Sequence, residues 1–481
     1  MCDRESNEGE TSALVVRLSD LGSRSEVIVW EGRGISGAEL ETTVAGYARW
    51  LIDAYGPRPG DRIAVRSDIS PMTLVMLVAH LRLGLVHVPV PPRYTPDEVA
   101  HIVADCGASQ LLDPAAVGSL DGESVEWPTV PASALAWIVY TSGTTGRPKG
   151  VMMSHKALAA NLLAVTGLWE VDERDRVIAT LPLFHVHGLG LVALGSLLVG
   201  ATIILKIKFS ATDVVEEVER GANVFMGVPT MYHLLLDHLE SHPEAGPVLG
   251  KARLFTAGSA ALSVASFEAF RRHTGHHILE RYGMTETGFT LSNPLHGERR
   301  PGCVGMPVPG VTVRLVDESG HGVPLGEPGE IEVRGDSLMD GYWGRPEATA
   351  AAFEDGWFKT GDTAVMDDGY VRIVGRTSTD IIKTGGFKVG AREVEDVVHA
   401  SGLVTECAVL GTNDPKWGEV VLCVVVPRDG VDTDGDVVAR LEVHCASWLV
   451  DYKRPRRYRV VEALPRNAMG KVQKAALKDP S

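Results

Sequence analysis

The stretch Tyr140–Gly150, YTSGTTGRPKG, gathers hydroxyls at Thr141, Ser142, Thr144 and Thr145, glycines at Gly143 and Gly146, and a cation at Lys149. Bare backbone N–H groups, side-chain hydroxyls and a positive charge in one loop suit a polyphosphate. The loop is not of the Walker type, in which Gly-Lys-Ser/Thr follows four spacer residues, because Lys149 is followed by Gly150. A surface turn with a stray lysine would not need so many donors. Elsewhere, RYGMTET (281–287) carries Thr285 and Glu286, KTGD (359–362) carries Asp362, and PRNAMGKVQK (465–474) carries Lys471 near the chain end. Taken singly these are solvated surface groups or turn caps.

Composition limits what such groups could serve. The 481 residues exceed one compact core, so two or more domains are expected. A net charge of −16 argues against nucleic acid and against an anionic membrane surface. A phosphate ligand must therefore be held by local groups. Six scattered cysteines form no C-x-x-C pair, which suggests neither a zinc site nor a disulfide framework and fits a reducing cytoplasm. The polar, acidic N-terminus, MCDRESNEGE, is no signal peptide. The apolar run from Gly188 to Leu205 has the length of a membrane span, but Gly195 and Gly200 interrupt it and Lys206 and Lys208 close it. A buried helix followed by a buried strand is the better reading, with no integral membrane contact.

The elements that must position these residues alternate in type. Helical patterns at Ala38–Tyr55 and Pro71–Leu83 are interleaved with β-rich runs at 62–67, 86–90, 136–140, 176–180, 202–206 and 223–228. Alternation with short connections predicts mainly parallel sheet flanked by helices. Beyond residue 310, VTVRLVD, GEIEVRG and YVRIVGR read as a small antiparallel or barrel-like subdomain. A separate α+β unit of about a hundred residues follows. The expected division is 1–376 and 377–481, with the linker at Gly375–Thr379.

In order and spacing, the loop, LPLFHVHGL (181–189), TAGSAAL (256–262), RYGMTET, KTGD, Gly375-Arg376, KTGGFKVGAREVE (383–395) and PRNAMGKVQK resemble the motifs of the adenylate-forming enzymes: acyl-CoA synthetases, luciferases and peptide-synthetase adenylation domains. The resemblance runs from about Trp30 to the C-terminus. It implies ATP, Mg²⁺ and CoA as cofactors and an acid–thiol ligase making acyl-CoA, AMP and pyrophosphate through an acyl-adenylate. It further implies that residues 141–146 and Lys149 cradle the phosphates, and that Gly258, Ser259 and Ala260 face the adenine opposite Tyr282, Gly283 and Met284. Thr285 would reach the α-phosphate, Glu286 would hold Mg²⁺, Asp362 would accept the ribose hydroxyls, and Arg376 would add a ribose or phosphate contact. Lys471 would bridge the acid and the α-phosphate. Gly385, Gly386 and Phe387 would line the CoA tunnel, and the mobile C-terminal domain would turn about Ser378 or Thr379.

For the acid, the expected pocket holds His185 as an aromatic gate, with His187, Gly227, Val228, Leu234, Ser259, Gly305 and Met306. No Asp follows the loop to greet an amine, so an α-amino acid is disfavoured. LPLFHVHGL, GVPTMYH, ERYGMTET and GERRPG look most like malonyl- and methylmalonyl-CoA synthetases. Those enzymes carry an arginine where this chain has Leu234, and a desolvated carboxylate without a partner costs several kcal/mol. The sequence thus favours a short or medium, or branched, aliphatic monocarboxylic acid. Malonate or methylmalonate, gripped by Arg299 or Arg300, is the runner-up. The rivals are a ligase loading an acyl carrier protein and a non-catalytic relative, which Lys149 and Lys471 disfavour.

Overall fold

The computed structural model describes residues 11–118, 120, 125–141, 148–377, 380–385, 387–428, 436–466 and 472–478. Two compact units emerge: Met1–Thr312 with Val333–Phe358, and Val313–Glu332 with Lys359–Ser481.

The first unit is α/β, as the alternation predicts. Its larger sheet orders nine strands as Met306–Pro307, Gly288–Ser292, Leu279–Met284, Leu254–Ala257, Val224–Gly227, Arg176–Ala179, Thr202–Leu205, Ile28–Trp30 and Arg33–Ile35. Its middle is parallel, whereas Gly288–Ser292 returns antiparallel to Leu279–Met284. The smaller sheet orders Gly341–Tyr342, Lys149–Ser154, Leu135–Thr141, Val86–Val90, Arg62–Arg66 and Gln110–Leu112. Most of these strands are buried, as expected of sheet covered on both faces.

Local signals set the helices. Gly37–Tyr55 starts at a Ser36/Glu39 capping box and ends at Gly56 in the left-handed region. Pro71–Arg82 is buried from Thr73 onward, so it reads apolar on every face. The run from Gly188 folds as a buried helix and strand: Val186–Gly195 is wound as a π-helix, Ser196–Val199 is α-helical, and Thr202–Leu205 is a strand. No helix among the described residues is long and apolar enough to cross a membrane.

The barrel-like subdomain is not closed. Val311–Val316, Gly329–Gly335, Trp357–Asp367 and Tyr370–Arg376 lie in an open five-stranded sheet. Alternation along short strands signals sheet but does not specify closure, which depends on strand number and stagger. In the second unit, Phe387–Gly390, Ile381–Thr384, Gly418–Pro427 and Val404–Asp414 adjoin in that order, and Arg457–Val460 runs parallel to Gly418–Pro427. The helices Ala391–Ala400 and Asp436–Trp448 share its apolar core, through Val394, Val398, Val437 and Leu441.

Candidate active site

The glycine- and hydroxyl-rich loop joins two strands of an antiparallel hairpin, Leu135–Thr141 and Lys149–Ser154, in which Thr141 pairs with Lys149 and Tyr140 with Gly150. Ser142, Gly143, Thr144, Thr145 and Gly146 lie outside the described residues. Thr141 Oγ1 donates to the Lys149 carbonyl over 3.5 Å. The short strand Gly341–Tyr342 adds to the hairpin, with Tyr342 opposite Val151. That pairing sets the Tyr342 ring 4.6 Å from Lys149 Nζ. The Tyr342 hydroxyl donates to Glu286 Oε1 at 3.0 Å. One phenol therefore joins the cation at the base of the loop to the carboxylate of RYGMTET.

Glu286 sits in the turn between Leu279–Met284 and Gly288–Ser292, and the turn is held on several sides. The Met339 amide donates to the Glu286 carbonyl, and Ser337 Oγ to the Thr287 carbonyl. Thr287 and Thr290 hydroxyls meet at 2.8 Å, and the Asn161 amide clasps the Phe289 backbone through both its oxygen and its nitrogen. Thr285 and Glu286 are buried. Fixed, buried groups of this kind need no reorganisation when charge develops beside them. Mg²⁺ takes one or two carboxylates and keeps waters and substrate phosphates as its other ligands, so Glu286 fits it. No cluster of three or more metal-ligating side chains occurs among the described residues. Tyr282, Gly283 and Met284 precede this turn and are half-buried.

Strand Leu279–Met284 also carries a buried cation that sequence reasoning did not single out. Arg281 is only 4% exposed, and its Nε and Nη2 have no hydrogen-bond partner among the described residues. Its guanidinium lies 4.7 Å from the Phe289 ring centre. Burial pushes its pKa down to about 9, which leaves it cationic near neutrality. Gly258 has to be glycine here, because a Cβ would come within 2.4 Å of the Arg281 Cζ. The next residue, Ser259, adopts a left-handed backbone (φ 68°), a strained choice that clusters at functional sites. Its hydroxyl lies 3.3 Å from His187 Nδ1. His187 is buried, and its Nε2 lacks a partner. Burial, then the charge of Arg281 and then His185, hold its pKa well below the usual 6.5, so it is neutral.

The other residues expected to line the acid pocket lie on several elements. His185 precedes the π-helix, half-buried beside Phe184. Gly227 ends a strand and Val228 caps the helix Pro229–Ser241. Leu234 on that helix is 53% exposed, so it does not face the helix's own core. Gly305 is buried, and Met306 pairs with Ser292. Ala260 is exposed. The two arginines expected to grip a diacid are committed elsewhere. Arg299 donates to the carbonyls of Pro294, His277 and Leu295, and Arg300 pairs with Glu298 at 3.1 Å.

The second unit carries the remaining candidates. Asp362, buried, pairs with Arg376 at 3.0 Å, and Arg376 Nη1 also donates to the Thr360 carbonyl. The amide of Gly385 donates to the Trp417 carbonyl at 2.9 Å, and a Cβ on Gly385 would meet the Trp417 ring at 2.7 Å. Arg456 stands 4.8 Å and Lys416 5.0 Å from that ring. Phe387 stacks on Tyr452 at 4.2 Å. Gly386, Ser378, Thr379 and Lys471 lie outside the described residues. Tyr342 and Trp417 lie outside the quoted motifs. The available signal for Arg281 was a cation in a segment otherwise reading as buried strand.

The family model of AMP-binding enzymes matches residues 21–343, and that of the AMP-binding enzyme C-terminal domain matches residues 393–471. The chain belongs to the AMP-binding enzymes. This adenylate-forming family member is 43% identical over 375 residues to the mitochondrial malonate–CoA ligase ACSF3 of Mus musculus, covering 71% of this chain and 64% of that protein. It is 36% identical over 487 residues to a feruloyl-CoA synthase of Amycolatopsis, covering 96% and 97% of the two chains. The ATP-bound crystal structure of MatB from Rhodopseudomonas palustris superposes with a TM-score of 0.89 at 37% identity, covering 97% and 98%. The chain spans about two thirds or slightly less (64–66%) of the length of the first curated relatives it matches.

Proposed function

We propose that this AMP-binding enzyme is an acid–CoA ligase. A substrate carboxylate oxygen attacks the α-phosphorus of ATP, pyrophosphate leaves, and the CoA thiol then displaces AMP from the acyl-adenylate to give the thioester. The observation that carries this reading is the join of Lys149 to buried Glu286 through Tyr342. It puts a cation and a hard carboxylate at the base of a donor-rich loop, where a triphosphate needs both. Mg²⁺ held by Glu286 would neutralise phosphate charge. Thr285 contacts the α-phosphate, Asp362 takes the ribose hydroxyls, and Lys471 stabilises charge as the acid attacks. Neither step needs a protein nucleophile, because positioning and charge neutralisation suffice. The residues from 377 onward turn about Ser378–Thr379 between the steps. The glycine turn at Gly385, walled by Trp417, receives CoA.

The substrate we favour is a short dicarboxylic acid. A buried guanidinium left without an anion costs about 3–5 kcal/mol, and the neutral, apolar surroundings of Arg281 invite a carboxylate. Arg281 thus supplies from the strand the partner that Leu234 does not supply from the helix. Exposed apolar Leu234 supports the second reading, an aliphatic monocarboxylic acid. Free CoA rather than a carrier protein is the acceptor, and unpaired thiols suit the cytoplasm. Pyrophosphate release with ATP, Mg²⁺ and a panel of acids tests the reading. Malonate or methylmalonate should outpace hexanoate and octanoate. The opposite order returns the assignment to a monocarboxylate, and no AMP with any acid removes the ligase reading.

A further inference from the structure

Described residues on either side of Lys471 in sequence pair with one another. Arg466 forms a β-bridge with Val472, and the Gln473 amide donates to the Pro465 carbonyl at 2.8 Å. On either side, Leu464 and Leu477 are buried in an apolar cluster with Leu410, Leu422 and Val424. The residue that follows this base is Lys474. Its ammonium bonds Asp380 Oδ1 at 2.8 Å and Glu395 Oε1 at 2.8 Å. Glu395 is itself fixed, accepting from the Val409 amide at 2.9 Å.

Asp380 is the first described residue after Ser378–Thr379. Its other oxygen, Oδ2, accepts from the Arg376 amide at 3.1 Å, on the near side of that pair. Its own amide donates to the Arg376 carbonyl at 2.8 Å. One carboxylate is thus divided between the strand end before the hinge and a lysine three residues beyond Lys471. The three charged side chains are mostly buried, 16–22% exposed. An ion pair in that setting is worth more than a surface pair and fixes geometry more tightly.

We propose that Lys474 is a positioning residue, tying the Lys471 segment to the hinge through Asp380 and Glu395. This rests on the ligase reading with Lys471 as the adenylation lysine. Lys474 touches no substrate. It sets where Lys471 stands, and Asp380 makes that position depend on the state of the Arg376–Asp380 turn.

The test separates the half-reactions in purified full-length protein. Adenylation is read by pyrophosphate release, and thioester formation by CoA consumption from supplied acyl-adenylate. Lys474→Met should cut adenylation kcat by on the order of tenfold to hundredfold, the scale of a misplaced group. KM for ATP and the thioester step should change by less than about threefold. Lys474→Arg should restore adenylation, and Asp380→Asn should reproduce the defect if Lys474→Met does not fold. Equal loss in both half-reactions with a lowered melting temperature, or no loss at all, overturns the proposal. Lys471→Ala is the control for the underlying reading. If it keeps adenylation, the lysine assignment fails whatever Lys474 does.

Discussion

The candidate residues of the two units hold their charges in opposite ways. In the first, Glu286 and Arg281 are buried in a frame of neutral hydrogen bonds, aromatic faces and glycine-permitted close contacts. Arg281 has donors to spare and His187 an unpartnered nitrogen. In the second, Lys474, Asp380 and Glu395 satisfy one another, and so do Asp362 and Arg376. A site that waits for a ligand leaves polar groups uncompensated in a rigid frame. In this group of the second unit each charge already has its partner.

The strongest way to break the comparison is Lys471→Ala. Loss of that cation should lower adenylation by on the order of hundreds-fold while thioester formation from acyl-adenylate persists. Equal loss in both assays would make Lys471 structural. Arg281→Leu comes next. Steady-state kinetics should show kcat/KM for malonate down by roughly a hundredfold, with hexanoate unchanged or improved, since an unpaired buried carboxylate costs about 3 kcal/mol. A uniform loss across acids would remove Arg281 from the acid pocket. Tyr342→Phe should be milder. Losing one hydrogen bond to a charged group, about 1.5 kcal/mol, corresponds to about tenfold in adenylation, and titration of Mg²⁺ should show a weaker requirement curve than wild type.

The smallest effect is in pH. His80, His155 and His187, all buried in the first unit, have pKa values held below 6.5 by desolvation, His155 at about 4 and His87 beside them at about 3. Below about 6.5 the unfolded chain binds protons that the native state refuses until its own lower pKa. Stability therefore falls as pH drops from 6.5 toward 4, by up to about 1.4 kcal/mol per pH unit per histidine. In the second unit, partial desolvation lowers the pKa of the exposed His399, yet Cys407, Glu395 and Asp396 raise it overall. Its contribution is present at low pH and fades as pH rises. Hydrogen exchange at pH 5 against pH 7 should show the first unit loosening before the second.

Much of this was legible in the chain. The capped helix ending at Tyr55 follows from Ser36, Glu39 and Gly56. The run after Gly188 reads as buried helix and strand because Gly195 and Gly200 interrupt it and Lys206 and Lys208 close it. What was not legible involves partners far apart in sequence. Tyr342 meets Glu286 across 56 residues, and no periodicity encodes that. Leu234 looks like a pocket or core residue, and only helix packing decides that it is half exposed. Arg299 looks free until the folded chain lays three carbonyls around it.

Residue types and spacing by themselves determined a donor-dense loop with Lys149 at its base, of the kind a phosphate asks for, and an α/β scaffold to carry it. Those properties are local, set by hydroxyls, glycines and hydrophobic period over a few residues. The tertiary structure alone decided which charges are satisfied and which are left waiting. Burial and pairing depend on what the fold brings alongside, and the role proposed for Arg281 rests on both.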